Sequence, residues 1–381
     1  MISMFSRLRS LRNPHVKPMN VISIHRKNIL SNYEFLQSLQ PKAAIFPVLK
    51  SNAYGHGLVQ MVKILRRTDA PYLAVDSFPE YQIVKKYSSK QILLLGETLL
   101  ENYRKFNHRR VAFCVYNKKT LTTLGELNKD IKIHLFFNTG MNREGIQEDQ
   151  LPDILQELKK YPQITVEGVM SHLYSADEVD YDGIDEQIKK FRTMYYKLID
   201  FGHTPLRKHI GNSAGMFKIQ DDFFNAYRPG IALYGYSPFA SHAPLHKKAK
   251  ALKPALSITS RVISTQIARP GEGVSYHHTY KPYDREILVT IPFGYTEGLS
   301  RVASGKIGMK HGRQFIKQIG TICMNLCTCK SDYEINIGEK VEIIGTNPDA
   351  KNSMDQLAQA SDTIVYESLV RLDKSIRREI V

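Results

Sequence analysis

Lys50 ends the apolar run Ala43-Ala44-Ile45-Phe46-Pro47-Val48-Leu49, and a glycine-punctuated turn, Ser51-Asn52-Ala53-Tyr54-Gly55-His56-Gly57, follows it. A short apolar run bounded by turn signals reads as a buried strand, and α/β folds place their chemistry at strand ends. Desolvation lowers a lysine pKa and frees the amine to condense with a carbonyl, so Schiff-base chemistry is the first functional reading. On these residues alone, a solvated lysine just past a strand is the plain alternative. Two other groupings invite a metal reading. Cys323-x-x-x-Cys327-x-Cys329 lacks the usual C-x-x-C element and a nearby fourth ligand, and alternation along one strand explains it better. His277-His278 has no ligand pattern either, so no metal is expected.

The elements that must position Lys50 form a βα repeat, in which short apolar runs alternate with amphipathic segments at a beat of about 30 residues. Candidate strands cover 43–49, 72–76, 91–95, 110–116, 131–137, 164–171, 207–212 and 230–234. Between them, stretches such as 58–67, 80–87, 151–161 and 186–201 carry apolar residues at spacings of three and four. Eight such units fit a closed (β/α)8 barrel of the TIM type better than an open sheet. From about residue 250 the texture changes to alternating runs, 257–267, 287–292, 315–322 and 340–344, broken by Pro270-Gly271. That predicts a mainly-β domain. Ser353-Met354-Asp355-Gln356 has the form of a capping box and predicts a helix through about Ala360.

At 381 residues the chain exceeds what one hydrophobic core usually organises. The expected division is a basic leader over 1–17, a barrel domain over 18–249 and a β domain over 250–381. The leader carries Arg7, Arg9, Arg12 and Lys17 with no acidic residue and no apolar core of secretory length. It reads as a loose segment, with an amphipathic targeting peptide as the minority alternative. Hydrophobic residues make up 42% and charged residues 24%, ordinary values for a soluble protein, and no apolar run reaches membrane-spanning length. The four cysteines show no disulfide framework, which fits a reduced, cytoplasmic setting. A net charge of +16 would suit an anionic partner. The lysines are scattered, however, and no nucleic-acid-binding signature accompanies them. A solvated basic surface that draws an anionic cofactor or a carboxylate into a cleft is the better reading.

The segment from Leu49 to Leu58 also resembles the pyridoxal-phosphate lysine motif of the alanine racemases. The likeness continues in order to the C-terminus through Val169-Met170-Ser171-His172-Leu173-Tyr174-Ser175-Ala176-Asp177, Asn212-Ser213, Tyr227-Arg228-Pro229-Gly230-Ile231, Val274-Ser275-Tyr276, Gly294-Tyr295, Cys323-Met324 and Tyr366-Glu367. The resemblance implies that Lys50 holds pyridoxal 5'-phosphate and serves as one base, with Tyr276 as the other. Racemisation needs two bases on opposite faces of the reacting carbon, and a tyrosine can serve only if neighbours stabilise its phenolate. In the family a histidine and an arginine do so, here His172 and Arg228. Arg228 is also implied as the partner of the pyridine nitrogen, where a guanidinium that keeps its proton weakens the electron sink.

The same likeness assigns the phosphate to Tyr54, Ser213, Tyr366 and backbone amides near Gly230 and Ile231, with Asn212 adjoining. Asn212-Ser213-Ala214-Gly215 alone reads equally well as a strand-to-helix cap. Arg143 would contact the cofactor and the substrate carboxylate, the Met324 amide would meet that carboxylate, and Asp177, Tyr295 and Arg301 would line the substrate entrance. A homodimer with shared sites is implied, Tyr276 serving the partner's Lys50. Three positions depart from the pattern. Phe136 stands where many relatives carry a carbamylated lysine, Asn138 replaces the aspartate of D-T-G-M, and Asn325 replaces the aspartate after Cys-Met. The function implied is racemisation of alanine for peptidoglycan precursor supply. A broader amino-acid racemase, a decarboxylase of the same architecture and a non-catalytic pyridoxal-phosphate carrier are the alternatives. Tyr276 in its Val-Ser-Tyr setting disfavours the decarboxylase, and the β domain with Tyr276 disfavours the carrier.

Overall fold

Apart from β1 (Val21–Ile24), the strands of the first two-thirds of the chain are parallel: β2 (Ala44–Ile45), β3 (Tyr72–Val75), β4 (Gln91–Leu94), β5 (Val111–Val115), β6 (Ile131–Phe136), β7 (Ile164–Met170), β8 (Arg207–His209) and β9 (Ala226–Tyr227). This computed structural model describes residues 16–179 and 183–381, so nearly all of the expected leader lies outside the described residues. β3 to β8 pair in sequence order, and β2 pairs with β9. Val48 bridges Ala74, while Asn225 N donates to Lys208 O at 3.1 Å and Arg228 N to Gly211 O at 2.9 Å. These bonds join β2 to β3 and β8 to β9, which closes the ring into the expected (β/α)8 barrel.

β3 and β5 are buried along their whole length, as strands covered on both faces must be. Phe46, Val48, Tyr72, Ala74, Leu93, Ala112, Cys114, Tyr116, Phe136, Met170 and Ala226 meet in one cluster, mostly at alternate positions of successive strands. The barrel interior is therefore a packed core, and chemistry is confined to its mouth. Helices Leu58–Leu65, Phe78–Tyr87, Leu151–Leu158 and Gly183–Asp200 fall where the three-and-four periodicity places them. The last expected strand, 230–234, is different. Ile231–Tyr234 is a buried 3-10 turn, and the strand is β9, Ala226–Tyr227, ahead of it. Pro229 has no N–H for a sheet ladder, so the strand stops before it and the apolar run after it buries as a turn.

The chain divides into two compact units. The barrel unit is Ile24–Leu256 with Ile380–Val381, and the β unit is Ser257–Glu379 with the described residues up to Ser23. β1 belongs to a nine-stranded sheet with β10 (Leu256–Arg261), β11 (Ser264–Ala268), β12 (Glu286–Ile291), β13 (Gly308–His311), β14 (Gln314–Ile319), β15 (Cys327–Ser331), β16 (Lys340–Ile344) and β17 (Arg377–Ile380). Its order is β11-β12-β15-β14-β13-β16-β10-β1-β17. Cys327 and Cys329 alternate inward on β15, whereas Cys323 precedes that strand. The Ser353 hydroxyl accepts from Gln356 N at 3.2 Å and caps helix Met354–Ala360. Among the described residues, no helix is long and apolar enough to cross a membrane. Among them too, no three His, Cys, Asp or Glu side chains form a group that could hold a metal ion.

Candidate active site

Lys50 opens a turn in which Ser51, Asn52, Ala53 and Tyr54 all have φ between 50° and 56°. Left-handed backbone costs roughly 1–2 kcal/mol per non-glycine residue, so this turn must be held from outside. Asn52 does part of that: its Oδ1 accepts from Leu58 N at 2.9 Å and its carbonyl from Gly57 N at 2.9 Å. Ala53 N donates back to Leu49 O at 2.9 Å. The turn carries Lys50 over the end of β2, where its side chain is 41% exposed and Nζ lies 3.6 Å from Asp76 Oδ1. The amine sits at the mouth beside a carboxylate, and is not enclosed in an apolar pocket.

The same turn projects Tyr54 toward the segment after β9. A Cβ built on Gly230 would lie 2.4 Å from Tyr54 Oη, so only glycine leaves room for this hydroxyl. Gly230 N and Ala232 N both donate to Ser213 Oγ, at 3.0 and 3.2 Å. Burial, and then the charge of Asp76, push the Tyr54 phenol up to about 12, which keeps it a protonated donor. The Tyr54 hydroxyl and a Ser213 hydroxyl whose oxygen accepts two backbone amides, leaving its proton to donate, meet around a side-chain-free position, a cradle of the kind that takes a phosphate. Asn212 Oδ1 accepts from Gly215 N at 3.0 Å, so Asn212 is also the cap that its sequence allowed.

Arg228 is buried beside this cradle. Its Nη1 donates to His209 Nδ1 at 2.5 Å and to His209 O at 2.9 Å, and its Nη2 donates to Ser171 O at 2.5 Å. His172 Nδ1 stands 3.5 Å from Nη2. Burial lowers the Arg228 pKa to about 10, still far above neutrality, so the guanidinium keeps its charge. His172 is lowered to about 3 by burial first and then by the charges of Arg228, Arg143 and Lys50. His172 is therefore neutral at pH 7, beside the charged Arg228.

Arg143 lies in the loop after β6. Asn138 Oδ1 accepts from Gly140 N at 3.0 Å and Asn142 N at 3.1 Å, while its Nδ2 donates to Asn142 Oδ1 at 3.0 Å. An aspartate could not make that last bond, which accounts for asparagine here. Phe136 is buried against Tyr116 with ring centroids 5.0 Å apart and offers Arg143 no acceptor. Arg143 instead donates through Nε and Nη2 to Glu144 Oε1, at 3.2 and 2.6 Å. Asp177, farther on after β7, is exposed.

In the β unit, Tyr276 is 65% exposed on a kinked turn in which Ser275 and His277 have φ of 62° and 61°. Ser275 Oγ donates to Thr321 O at 2.6 Å and Thr321 Oγ1 to Tyr276 O at 2.9 Å, which fixes the turn. Met324 is 57% exposed, with its carbonyl accepting from Thr296 N at 2.9 Å. Tyr295 N donates to Cys323 O at 3.1 Å, so Tyr295 and the Cys323-Met324 pair belong to one cluster. Asn325 Nδ2 donates to Glu297 Oε1 at 3.0 Å, and an aspartate there would face that carboxylate. Arg301 opens the turn Arg301–Ala303, and Tyr366 lies in helix Val365–Val370.

Lys50, Tyr54, Arg143, His172, Asn212, Ser213, Arg228, Gly230 and Ile231 thus all lie in the barrel unit at or just beyond strand ends, and Tyr276, Tyr295, Arg301, Met324 and Tyr366 in the β unit. The sequence reading missed Asp76, Glu144 and His209. The signal for His209 was its place two residues before Gly211 on an expected strand, on the same face. The profile described as "Alanine racemase, N-terminal domain" matches residues 24–238, and that described as "Alanine racemase, C-terminal domain" matches 255–380. Alanine racemase 1 of Clostridium acetobutylicum is 31% identical over 96% of this chain and 95% of its own. The alanine racemase of Staphylococcus saprophyticus is 31% identical over 94% and 93%. Among solved structures, the alanine racemase of Clostridium difficile 630 superposes with a TM-score of 0.89 at 26% identity, covering 96% of each chain. That of Bacillus anthracis with bound L-Ala-P superposes with a TM-score of 0.88 at 29% identity, again over 96% of each. The chain belongs to the alanine racemase family.

Proposed function

We propose that this chain racemises alanine with pyridoxal 5'-phosphate, using Lys50 and Tyr276 as the two bases. The observation that carries the reading is the cradle of Tyr54, Ser213 and Gly230 beside a buried, charged Arg228, on the same barrel mouth as Lys50. The donors fit a phosphate, and Arg228 fits a ring nitrogen that is to stay unprotonated. When bound, the cofactor supplies a carbonyl for the Lys50 amine and an electron sink that acidifies the substrate Cα–H. Tyr54, Ser213, Tyr366 and the Ile231 amide would hold the phosphate, with Gly230 leaving the room for it and its amide orienting Ser213. Arg143 and the Met324 amide hold the substrate carboxylate, and Asp177, Tyr295 and Arg301 line the approach. Lys50 Nζ takes or returns the Cα proton on one face and Tyr276 Oη on the other, the phenol being prepared by neutral His172 and charged Arg228. Reduction with borohydride and peptide mapping test the assignment. The label is expected on Lys50, and a label on another lysine would remove it.

The active form in this reading is a homodimer in which Tyr276 serves the partner's Lys50, as the exposure of Tyr276 and Met324 supports. Mixing inactive Lys50→Ala and Tyr276→Ala chains should restore about a quarter of wild-type activity through random pairing in a two-fold dimer. Background activity in dimers shown by mass spectrometry to be mixed would refute sharing. D-Alanine supply to peptidoglycan in a reducing cytoplasm completes the reading.

A further inference from the structure

His134 on β6 points into the barrel, is fully buried, and takes no part in the chemistry above. Its Nδ1 lies 2.7 Å from His209 Nε2, and the His209 Nδ1 is the atom that meets Arg228 Nη1 at 2.5 Å. β7 runs between the strands of the two histidines, and its Gly168 pairs with His134 in the ladder. A Cβ on Gly168 would lie 2.4 Å from His134 Nδ1. The glycine therefore clears the space through which one ring reaches the other.

Chemistry fixes the direction of every bond in this chain. A guanidinium only donates, so His209 Nδ1 accepts. Burial, reinforced by the charge of Arg228, holds both imidazoles neutral; His134 is lowered to about 3 and His209 is lowered well below the usual histidine range. A neutral imidazole carries one proton, so His209 Nε2 is the donor and His134 Nδ1 the acceptor. The remaining His134 proton sits on Nε2, which is buried with no hydrogen-bond partner among the described residues. An orphaned buried donor is retained against a free-energy cost, which marks the other nitrogen as the one that matters.

We propose that His134 is a positioning residue: by accepting the His209 Nε2 proton it fixes the tautomer of His209, whose Nδ1 then anchors the Arg228 guanidinium. The consequence for catalysis rests on the reading of Arg228 as the partner of the cofactor nitrogen. Nitrogen-15 NMR of the histidines in the holoenzyme tests the relay without reference to activity. Expected is one proton on Nε2 and none on Nδ1 for both His209 and His134, unchanged from pH 6 to 9. A protonated Nδ1 on His209, or a mixture of tautomers, would overturn the proposal.

Kinetics test the consequence. His134→Leu should lower kcat about fivefold, the equivalent of one ordinary hydrogen bond, with KM for alanine within about twofold. It should also raise pyruvate formed per racemisation event by a similar factor. His134→Gln, which can accept at the same place, should restore most of the loss. Gly168→Ala, which leaves His134 in place but displaces its ring, should reproduce the His134→Leu phenotype. If Arg228→Glu changes the pyruvate ratio while His134→Leu and Gly168→Ala do not, the relay is wrong and the reading of Arg228 stands. If none of the three changes it although the tautomers are as expected, the reading of Arg228 fails.

Discussion

Gly230→Ala isolates the cradle from the rest of the site. The added methyl would lie 2.4 Å from Tyr54 Oη and 2.8 Å from its Cζ, so the ring must withdraw by about 1 Å to reach ordinary van der Waals distance. It cannot do so freely, because it packs on Tyr234 with ring centroids 4.9 Å apart and Tyr234 is fully buried. Overpacking of this kind costs about 1–3 kcal/mol of stability. In the proposed cofactor site, withdrawal would also take away a Tyr54 bond to the phosphate, a charged-group hydrogen bond of about 1.5–3 kcal/mol. The dissociation constant for pyridoxal phosphate should therefore rise roughly tenfold to a hundredfold. Titration of the apoenzyme, followed by cofactor absorbance, measures that constant directly. Tyr54→Phe should weaken binding by a similar amount, and adding Gly230→Ala to it should cost much less than in the wild type, since the shared bond is already gone. Wild-type affinity in Gly230→Ala, or full additivity of the pair, would refute the cradle.

Three further outcomes follow from particular contacts. Asn325→Asp should lower stability by about 0.5–1 kcal/mol at pH 7 by facing Glu297, and Glu297→Gln in the same chain should recover it; denaturant unfolding reads both. Glu144→Gln should raise KM for alanine about two- to fivefold with kcat nearly unchanged, because an exposed ion pair is worth up to about 1 kcal/mol and here orients Arg143. Stability should also depend on pH in a fixed direction. His134 and His172 have folded pKa values near 3, below the unfolded value of about 6.5, so the unfolded chain binds more protons between these limits. Their contribution is fully present above pH 6.5 and is lost as pH falls toward 3, with a slope of up to about 1.4 kcal/mol per unit for each. A denaturation midpoint that stays flat from pH 7 to 4.5 would contradict this.

How much of this was legible beforehand depends on the range of the forces involved. Period-two and period-3.6 patterns are local, so β3 to β8 and their helices could be placed from residue order alone. The strand expected at 230–234 failed because an apolar run buries as a turn as readily as a strand, and Pro229 should have decided the matter. β1 was missed because four alternating residues are a weak signal, and its partners β10 and β17 lie more than two hundred residues away. Lys50 and Arg228 were found through their motifs. Their partners Asp76 and His209 come from other strands, and only closure of the ring brings them near. The departures at Asn138 and Asn325 looked like losses of charge in isolation; with Asn142 and Glu297 beside them they are hydrogen-bond donors.

In the proposed mechanism two groups, Lys50 and Tyr276, exchange the Cα proton of alanine on opposite faces. Loaded protein incubated with a single alanine enantiomer in deuterium oxide tests this most directly, with optical rotation and Cα deuterium followed together from either enantiomer. Rotation should decay to zero, the inverted product should carry solvent deuterium from its first appearance, and Lys50→Ala and Tyr276→Phe should each stop the inversion. Deuterium exchange with retention of configuration, or inversion that survives in Tyr276→Phe at the wild-type rate, would contradict it.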